Sequence, residues 1–474
     1  MRSLRRRTAF GACVLALAGC ELAPPHVRPD LPTAAGFPAE YAGDPLDGVR
    51  APDIDFTTFI EDARLETLIA AALERNRDLE VAVARIDEAR GAFRVQRADR
   101  VPTLGASAEA TRSRMVAGGA IGGFPSAAGG TLESRTAGLG VSAFELDFWG
   151  RVRNLKEAAL AEYLASTAAA RALALSLIRE VADTYLALLE ADARVGLAEA
   201  TVASRRQELE IAERRLDAGA VSALEVAQVE TLLTQAETEL AALKLTRAQA
   251  SNALTVLVGG PLDEELPEPA PLGQQASDVP LAAGLPSELL TARPDIIAAE
   301  QRLVAARANI GAARAAFFPS ITLTGTSGYA SSELDGMFSQ DGRTWAIGPA
   351  LTVPLFDLGR RRALVTIAEA REDAAIAEYE RTIQTAFREV ADALAGRRYL
   401  AEQVEAQQRA TEAQRELAEL ARRRYAAGVV SYLEVLDAER NLFAAEQALL
   451  TIRRIEAANL IALYVALGGG LGTE

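Results

Sequence analysis

The placement of proline constrains this chain more than any other feature. Residues 151–217, 222–258, 360–426 and 431–467 contain none, and they are rich in Ala, Leu, Glu and Arg, the residues that cost least to hold in a helix. At 1.5 Å per residue the two longer stretches would each reach roughly 100 Å. A compact domain has no use for rods of that length, whereas a structure crossing a wide aqueous compartment does. Aromatics make up only 5% of the chain, which suits small side chains at close helix contacts.

These stretches belong to two copies of one pattern. Arg179-Glu180-Val181-Ala182-Asp183 recurs as Arg388-Glu389-Val390-Ala391-Asp392. Gly150-Arg151 recurs as Gly359-Arg360, Gly219 as Gly428, and Gly259-Gly260 as Gly468-Gly469, always 209 residues apart. Upstream, Asp78 pairs with Asp295 and Pro102 with Pro319 at a separation of 217. The first half is therefore longer, and its excess falls in the Gly/Ala/Pro-rich segment 118–130, which reads as a loop.

Each half repeats one order of elements, with 57–260 as the first repeat, 261–286 as a linker, 287–469 as the second repeat and 470–474 as a tail. A helix, ~60–100 or ~287–317, ends before a proline. Two strands follow, ~103–113 with ~136–148, and ~320–331 with ~344–356. The clearest is the last, where Trp345, Ile347, Pro349, Leu351, Val353 and Leu355 alternate with Thr344, Ala346, Gly348, Ala350 and Thr352, the period of two that a half-buried strand requires. The proline-free helices then form hairpins, ~151–258 and ~360–467.

The turn of each hairpin has its own chemistry. Arg215, Gly219, Ser222 and Glu225 are matched by Arg424, Gly428, Ser431 and Glu434. A glycine just past the helix end takes the left-handed conformation that closes it. A serine N-cap with glutamate three residues on is a capping box that opens the next helix. The paired helices must therefore run antiparallel.

The N-terminus reads as a leader. Arg5-Arg6-Arg7 precedes an apolar run from Ala9 to Ala18, too short to span a bilayer. It ends in Leu17-Ala18-Gly19-Cys20, similar to a bacterial lipoprotein signal, so residues 1–19 would be removed and Cys20 acylated. Glu21 at the next position favours the outer membrane in the Gram-negative sorting pattern this resembles. Residues 20–56, rich in Pro, Gly and Asp, read as a linker leaving that anchor, with His26 as a solvated residue within it.

Composition excludes several functions. The chain has two cysteines, one histidine and a formal net charge of −15. No Ser–His–Asp triad, Cys–His nucleophile or histidine-based zinc site can be assembled from residues so placed. The acidic balance repels phosphate backbones, so nucleic acid is not a partner. No enzyme activity, cofactor or metal is expected.

The Arg-x-x-x-Gly-x-x-Ser turns, the continuation Tyr432-Leu433-Glu434-Val435-Leu436-Asp437-Ala438 and the doubled helix–strand–strand–helix order resemble TolC-type outer-membrane factors. With the lipobox, the resemblance is to the NodT or OprM-like efflux lipoproteins. It implies an α+β membrane protein: a homotrimer in which four strands per chain build a 12-stranded β-barrel, continued by a long α-helical periplasmic barrel. Physics alone leaves dimer and trimer open, because four strands cannot close a barrel and open edges are not tolerated in lipid; the resemblance selects the trimer.

The same resemblance implies partners and roles. A periplasmic membrane-fusion (adaptor) protein would engage the tips, an inner-membrane pump, RND-type, would drive transport, and outer-membrane lipid would hold the acylated Cys20. Glu434 and Asp437 match the acidic positions of the family's periplasmic gate, where six carboxylates round one axis would disfavour anions and hold cations. Tyr425 matches a latch tyrosine and Glu225 its acidic partner. Val430 departs from the pattern, since an arginine that would make a second tie stands there in the family. Arg214, Arg215, Arg423 and Arg424 would dock the adaptor or balance nearby carboxylates. Small-molecule efflux is the leading expectation. Protein export by a type I secretion duct, and a pore-less periplasmic coiled-coil lipoprotein, are the alternatives.

Overall fold

The computed structural model describes residues 21–42, 48–115, 120–121, 124–125, 130–262, 265–277, 279–333 and 337–471. Cys20 and the leader lie outside these residues, as does much of the segment 118–130. The described chain falls into two compact units. The first holds residues up to Pro29, Ile86–Ala165 and Ala299–Glu378; the second holds Asp30–Arg85, Ser166–Ala298 and Tyr379–Glu474.

The elements, in order, are α1 (Ala63–Arg75), α2 (Arg77–Ala98), β1 (Leu104–Met115), β2 (Gly130–Glu145), α3 (Arg151–Asp217), α4 (Ala223–Val258), α5 (Pro294–Ala315), β3 (Ser320–Ser331), β4 (Arg343–Thr352), α6 (Arg360–Ala426) and α7 (Tyr432–Ala466). Helices α3 and α6 are each 67 residues long. Two-residue strands, Ala120–Ile121 and Phe124–Pro125, pair within the segment expected to be a plain loop.

Several expectations need correction. The single helix expected over ~60–100 is two. Asn76 adopts an extended conformation (φ −64°, ψ 130°). Its side-chain oxygen accepts from the N–H groups of Asp78 and Leu79 at 2.9 and 3.2 Å, capping α2, and its amide donates to Leu257 O at 2.8 Å. A buried residue that caps one helix while tying to another wins over continuous propensity. Similarly, α5 starts at Pro294, because the residue before a proline is pushed out of the helical region and Arg293 is extended there. Strand β2 begins earlier than expected and ends earlier, with a register break between Val141 and Phe144 and Ala143 at φ +51°. Strand β4 stops at Thr352, two residues short of Pro354.

In the first unit the four strands form one antiparallel sheet ordered β1-β2-β3-β4. Its register decides which side chains share a face. Ser327 stands opposite Trp345, Gly325 opposite Ile347, Leu323 opposite Pro349 and Ile321 opposite Leu351. Leu139, Val141 and Phe144 continue that face on β2, and Leu104 does so on β1, opposite Val141. The large apolar residues of β3 and β4, with Leu139, Val141 and Phe144 of β2 and Leu104 of β1, therefore lie on one side, while the other carries mostly Gly, Ala, Ser and Thr, Leu132 of β2 being an exception. Trp345, Ile347 and Leu351 are 74%, 65% and 64% exposed, a surface water does not favour and lipid does. A pore-less coiled-coil lipoprotein would have no need of such a sheet. Among the described residues no helix is long and apolar enough to cross a membrane.

Below the sheet, Ala158 and Ala161 of α3 pack on Ala305 and Ala308 of α5, small residues that let helices approach closely. Trp149 stacks on Phe318 with centroids 4.6 Å apart and donates to Pro319 O at 2.8 Å. The N-terminal segment is not the free linker expected. Glu21 pairs with Arg153 at 2.7 Å. His26 is exposed, as expected, but it is also tethered: Arg307 has only N–H groups to offer, so His26 Nδ1 accepts from it at 3.1 Å and Nε2 donates to Glu300 at 3.1 Å. Arg28 grips the same Glu300 through two bonds of 2.7 and 3.1 Å.

In the second unit the remainder of that segment is also packed. Phe37 stacks on Phe387 at 4.9 Å, while Phe56 and Phe59 are buried and Phe59 stacks on Tyr464 at 4.4 Å. Asp62 caps α1 and accepts from Tyr185 at 2.8 Å. The hairpin α3/α4 is closed by Val195, Ala198 and Leu243, then by Val202, Leu233 and Ala236. In α6/α7, Thr411 and Gln407 donate to Ala445 O, both at 3.2 Å.

Candidate functional site at the hairpin tips

Both hairpins turn by the same hydrogen-bond pattern. Ala220 N–H donates to Arg215 O at 2.8 Å and Gly219 N–H to Leu216 O at 2.8 Å; Val429 and Gly428 donate to Arg424 O and Tyr425 O at 3.0 and 2.9 Å. This is the Schellman closure, which needs a left-handed residue; Gly219 and Gly428 supply it at φ +69° and +72°. The capping boxes are only partly made. Ser222 Oγ accepts from Glu225 N–H at 3.3 Å, but Ser431 makes no side-chain cap. Each glutamate is engaged elsewhere, so neither acts as the reciprocal half of a box.

Those engagements define the site. Tyr425 at the end of α6 donates to Glu225 Oε1 of α4 at 2.7 Å, joining one hairpin of the chain to the other. Arg215 of α3 donates to the Tyr425 hydroxyl at 2.9 Å, its guanidinium 5.7 Å from the ring centroid. Burial and the Glu225 carboxylate push the Tyr425 phenol above its usual pKa, which keeps it a proton donor. Tyr432 lies 5.1 Å from Tyr425 and donates to Glu208 at 2.8 Å; burial and that carboxylate raise it strongly.

Glu434 and Asp437 both lie exposed on α7, 45% and 59% for their side chains. Arg424 donates to Glu434 at 2.7 Å and Arg440 to Asp437 at 2.5 Å. Arg214 pairs with Glu210 of its own helix at 3.3 Å. Of the expected residues, Arg215, Glu225 and Tyr425 are thus brought into contact, while Glu434 and Asp437 pair separately with Arg424 and Arg440.

Sequence reasoning missed the residues beneath them. Arg205 of α3 and Arg422 of α6 both reach Glu439 of α7, Arg422 Nε at 2.6 Å. Burial works against a charged Arg422, but Glu439 outweighs it and the net shift is upward. A cleft of about 200 Å³ lies beside Arg422 and Glu439, lined also by Ile211, Ala212, Val229 and Val435. The signal for them was available in the repeat: the mates of Arg205, Glu208, Arg422 and Tyr432 at 209 residues' distance are Gln414, Leu417, Glu213 and Ala223, so the cluster has no counterpart in the other half. Among the described residues no cluster of His, Cys, Asp and Glu is disposed to hold a metal ion.

A sheet with an exposed apolar face and two long helical hairpins define the class, and comparison with known proteins gives the family. Residues 68–260 and 285–469 match the pattern of the outer membrane efflux protein family, and the chain belongs to it. Toluene efflux pump outer membrane protein TtgI of Pseudomonas putida is 42% identical, over 96% of this chain and 97% of that protein. Outer membrane protein OprJ of Pseudomonas aeruginosa is 41% identical over 98% and 97%. The fold matches the open state of the Neisseria gonorrhoeae outer membrane channel MtrE with a TM-score of 0.86 at 38% identity, covering 95% of this chain and 99% of that one. A membrane protein from Pseudomonas aeruginosa gives 0.87 at 40% identity, covering 96% and 99%. The chain is an outer-membrane efflux protein.

Proposed function

We propose that the chain is one third of a passive exit duct: three copies close a 12-stranded barrel, and their hairpins, two structural repeats per chain, prolong its lumen into the periplasm. The observation that carries this is the sheet. Among the described residues, strands β1 and β4 each pair on one side only, while the apolar face spans all four strands. Such edges cannot stay open in hydrocarbon, so other copies must complete the ladder.

The duct is the outer-membrane part of a tripartite system, with a periplasmic membrane-fusion protein docking at the tips and an RND-type pump driving export. Relatives are named for solvent, toluene and antibiotic efflux, which supports small toxic compounds as cargo here. Acylation of Cys20 would anchor each copy to the outer membrane; labelled palmitate should enter the wild-type chain and not Cys20→Ser.

The tips are the gate. Glu434 and Asp437 of three copies surround the axis and set its cation preference, and Tyr425 with Glu225 holds the tips shut. In planar bilayers, Glu434→Gln with Asp437→Asn should raise single-channel conductance and weaken block by divalent cations. Unchanged block would refute the gate assignment.

A further inference from the structure

Every arginine of the four strands lies on the apolar side of the sheet, and at one end of it. Residues paired across an antiparallel ladder share a face, so the register fixes the rows. The row Leu104, Val141, Gly325 and Ile347 is followed by Ala106, Leu139, Ser327 and Trp345, and then by Ala108, Ala137, Tyr329 and Arg343. Beyond these stand Ala110, Arg135 and Ser331, then Arg112 opposite Glu133, then Arg114 opposite Thr131. Among the described residues the strands carry no arginine on their other face, where the charged residues are Glu109 and Glu145.

The order of these rows is that of a membrane boundary. From Leu351 to Trp345 the strand advances six residues, roughly 20 Å, close to the roughly 25 Å apolar band of an outer-membrane barrel. Aromatic rings mark its end: Trp345, then Tyr329, against which Phe338 packs edge-on with centroids 5.4 Å apart. The arginines come next, just past the aromatic row, where a charge can reach lipid headgroups. At this end the strands turn back on one another, while all the helices join the opposite end. In the duct reading, on which the inference rests, the helices enter the periplasm, so the arginine rim meets the outer leaflet.

The rim is cationic on a chain whose formal net charge is −15. Glu133 accepts from Arg112 at 3.1 Å and from Arg135 at 2.8 Å, and Arg135 also donates to Ser332 O at 2.7 Å. Arg114 and Arg343 are exposed and form no ion pair among the described residues. Glu333 and Asp341, in the connection beyond, pair with none of the four. Two guanidinium groups are therefore left to water beside an apolar surface, and phosphate is the anion whose geometry a guanidinium matches with two parallel hydrogen bonds. The outer leaflet of an outer membrane supplies it, as a glycolipid whose glucosamine head carries phosphates.

We infer that Arg112, Arg114, Arg135 and Arg343 form a binding rim for the phosphates of that glycolipid, with Arg114 and Arg343 as the groups free to hold them. Closure of the barrel sets β4 of one copy beside β1 of the next, so Arg343 and the Arg112–Arg114 pair flank one seam. The acyl chains then lie on the apolar face below.

The test uses the purified full-length oligomer in detergent, titrated with bis-phosphorylated lipid A, with dephosphorylated lipid A and with phosphatidylglycerol, and bound lipid is counted by native mass spectrometry. Wild type should bind the phosphorylated glycolipid roughly tenfold more tightly than the dephosphorylated one, and Arg114→Gln with Arg343→Gln should lose most of that preference. Affinity of the double variant for the dephosphorylated lipid should not change. The preference should shrink as salt is raised, because the rim is exposed. Equal binding of the two glycolipids by an intact wild-type oligomer would overturn the inference, and so would displacement of the bound lipid by inorganic phosphate. Equal affinity for phosphatidylglycerol would overturn the assignment to glycolipid. If the double variant does not assemble, each single variant should lose about threefold, and an unchanged preference in both overturns the rim equally. A wild-type chain that forms no closed oligomer would sink the duct reading, whereas a closed oligomer indifferent to phosphate would sink the rim alone.

Discussion

At the scale of single residues, the glycines separate conformational cost from steric cost. A Cβ at Gly219 or Gly428 would meet nothing within 4 Å, whereas one at Gly259 would lie 2.2 Å from Arg75 O. Gly219→Ala should therefore cost about 1–2 kcal/mol, the penalty of a left-handed non-glycine residue, and Gly259→Ala distinctly more, since a backbone carbonyl must also move. Thermal melts of the two variants should rank in that order. The turns themselves were legible because Gly and Ser have few physical reasons to recur at fixed spacing. The Tyr425–Glu225 contact was legible only through the family resemblance. The Arg205–Glu439–Arg422 cluster was not, because charged residues on a long helix read as a solvated face until a second hairpin is laid against them.

At the scale of elements, the long helices follow from the absence of proline and the sheet from its alternation, most clearly at β4, where every second residue is large and apolar. What the chain did not announce were places where one side chain overrides local preference. Asn76 splits a helix because it caps one and ties to another, and His26, though exposed, is tied to an acid and an arginine of α5. That N-terminal segment gives a pH prediction. Burial alone would raise the pKa of Glu300, but hydrogen bonds from Arg28 and His26 outweigh it and hold the carboxyl below its usual value. A carboxylate whose folded pKa is depressed contributes stability above its unfolded value and loses that contribution as pH falls through the folded one. Residues 21–30 should stay protected at neutral pH and exchange amide hydrogens faster as pH falls below about 4.3, after correction for intrinsic exchange. Glu300→Gln should show the faster exchange already at pH 7. Pulse labelling with mass spectrometry checks both, and pH-independent protection in the wild type would remove the role assigned to Glu300.

At the scale of the molecule, the account depends on strand number. Among its described residues one chain offers a four-stranded sheet with an apolar face and two unpaired edges, against a minimum of about eight strands for a closed lipid-spanning barrel. A long-range consequence follows for mutations on the apolar face. Trp345→Arg or Ile347→Arg would place a charge against hydrocarbon at a cost of up to about 2–4 kcal/mol depending on depth, so assembled protein in the outer membrane should fall while the helical content of residual soluble chain persists. Fractionation with circular dichroism would show it. The most direct measurement is electron microscopy of the purified protein in detergent or nanodiscs, with the copies counted in averaged end views. The account predicts three-fold particles with a central passage continued by a long rod-like extension. Single-copy particles without a passage would contradict it.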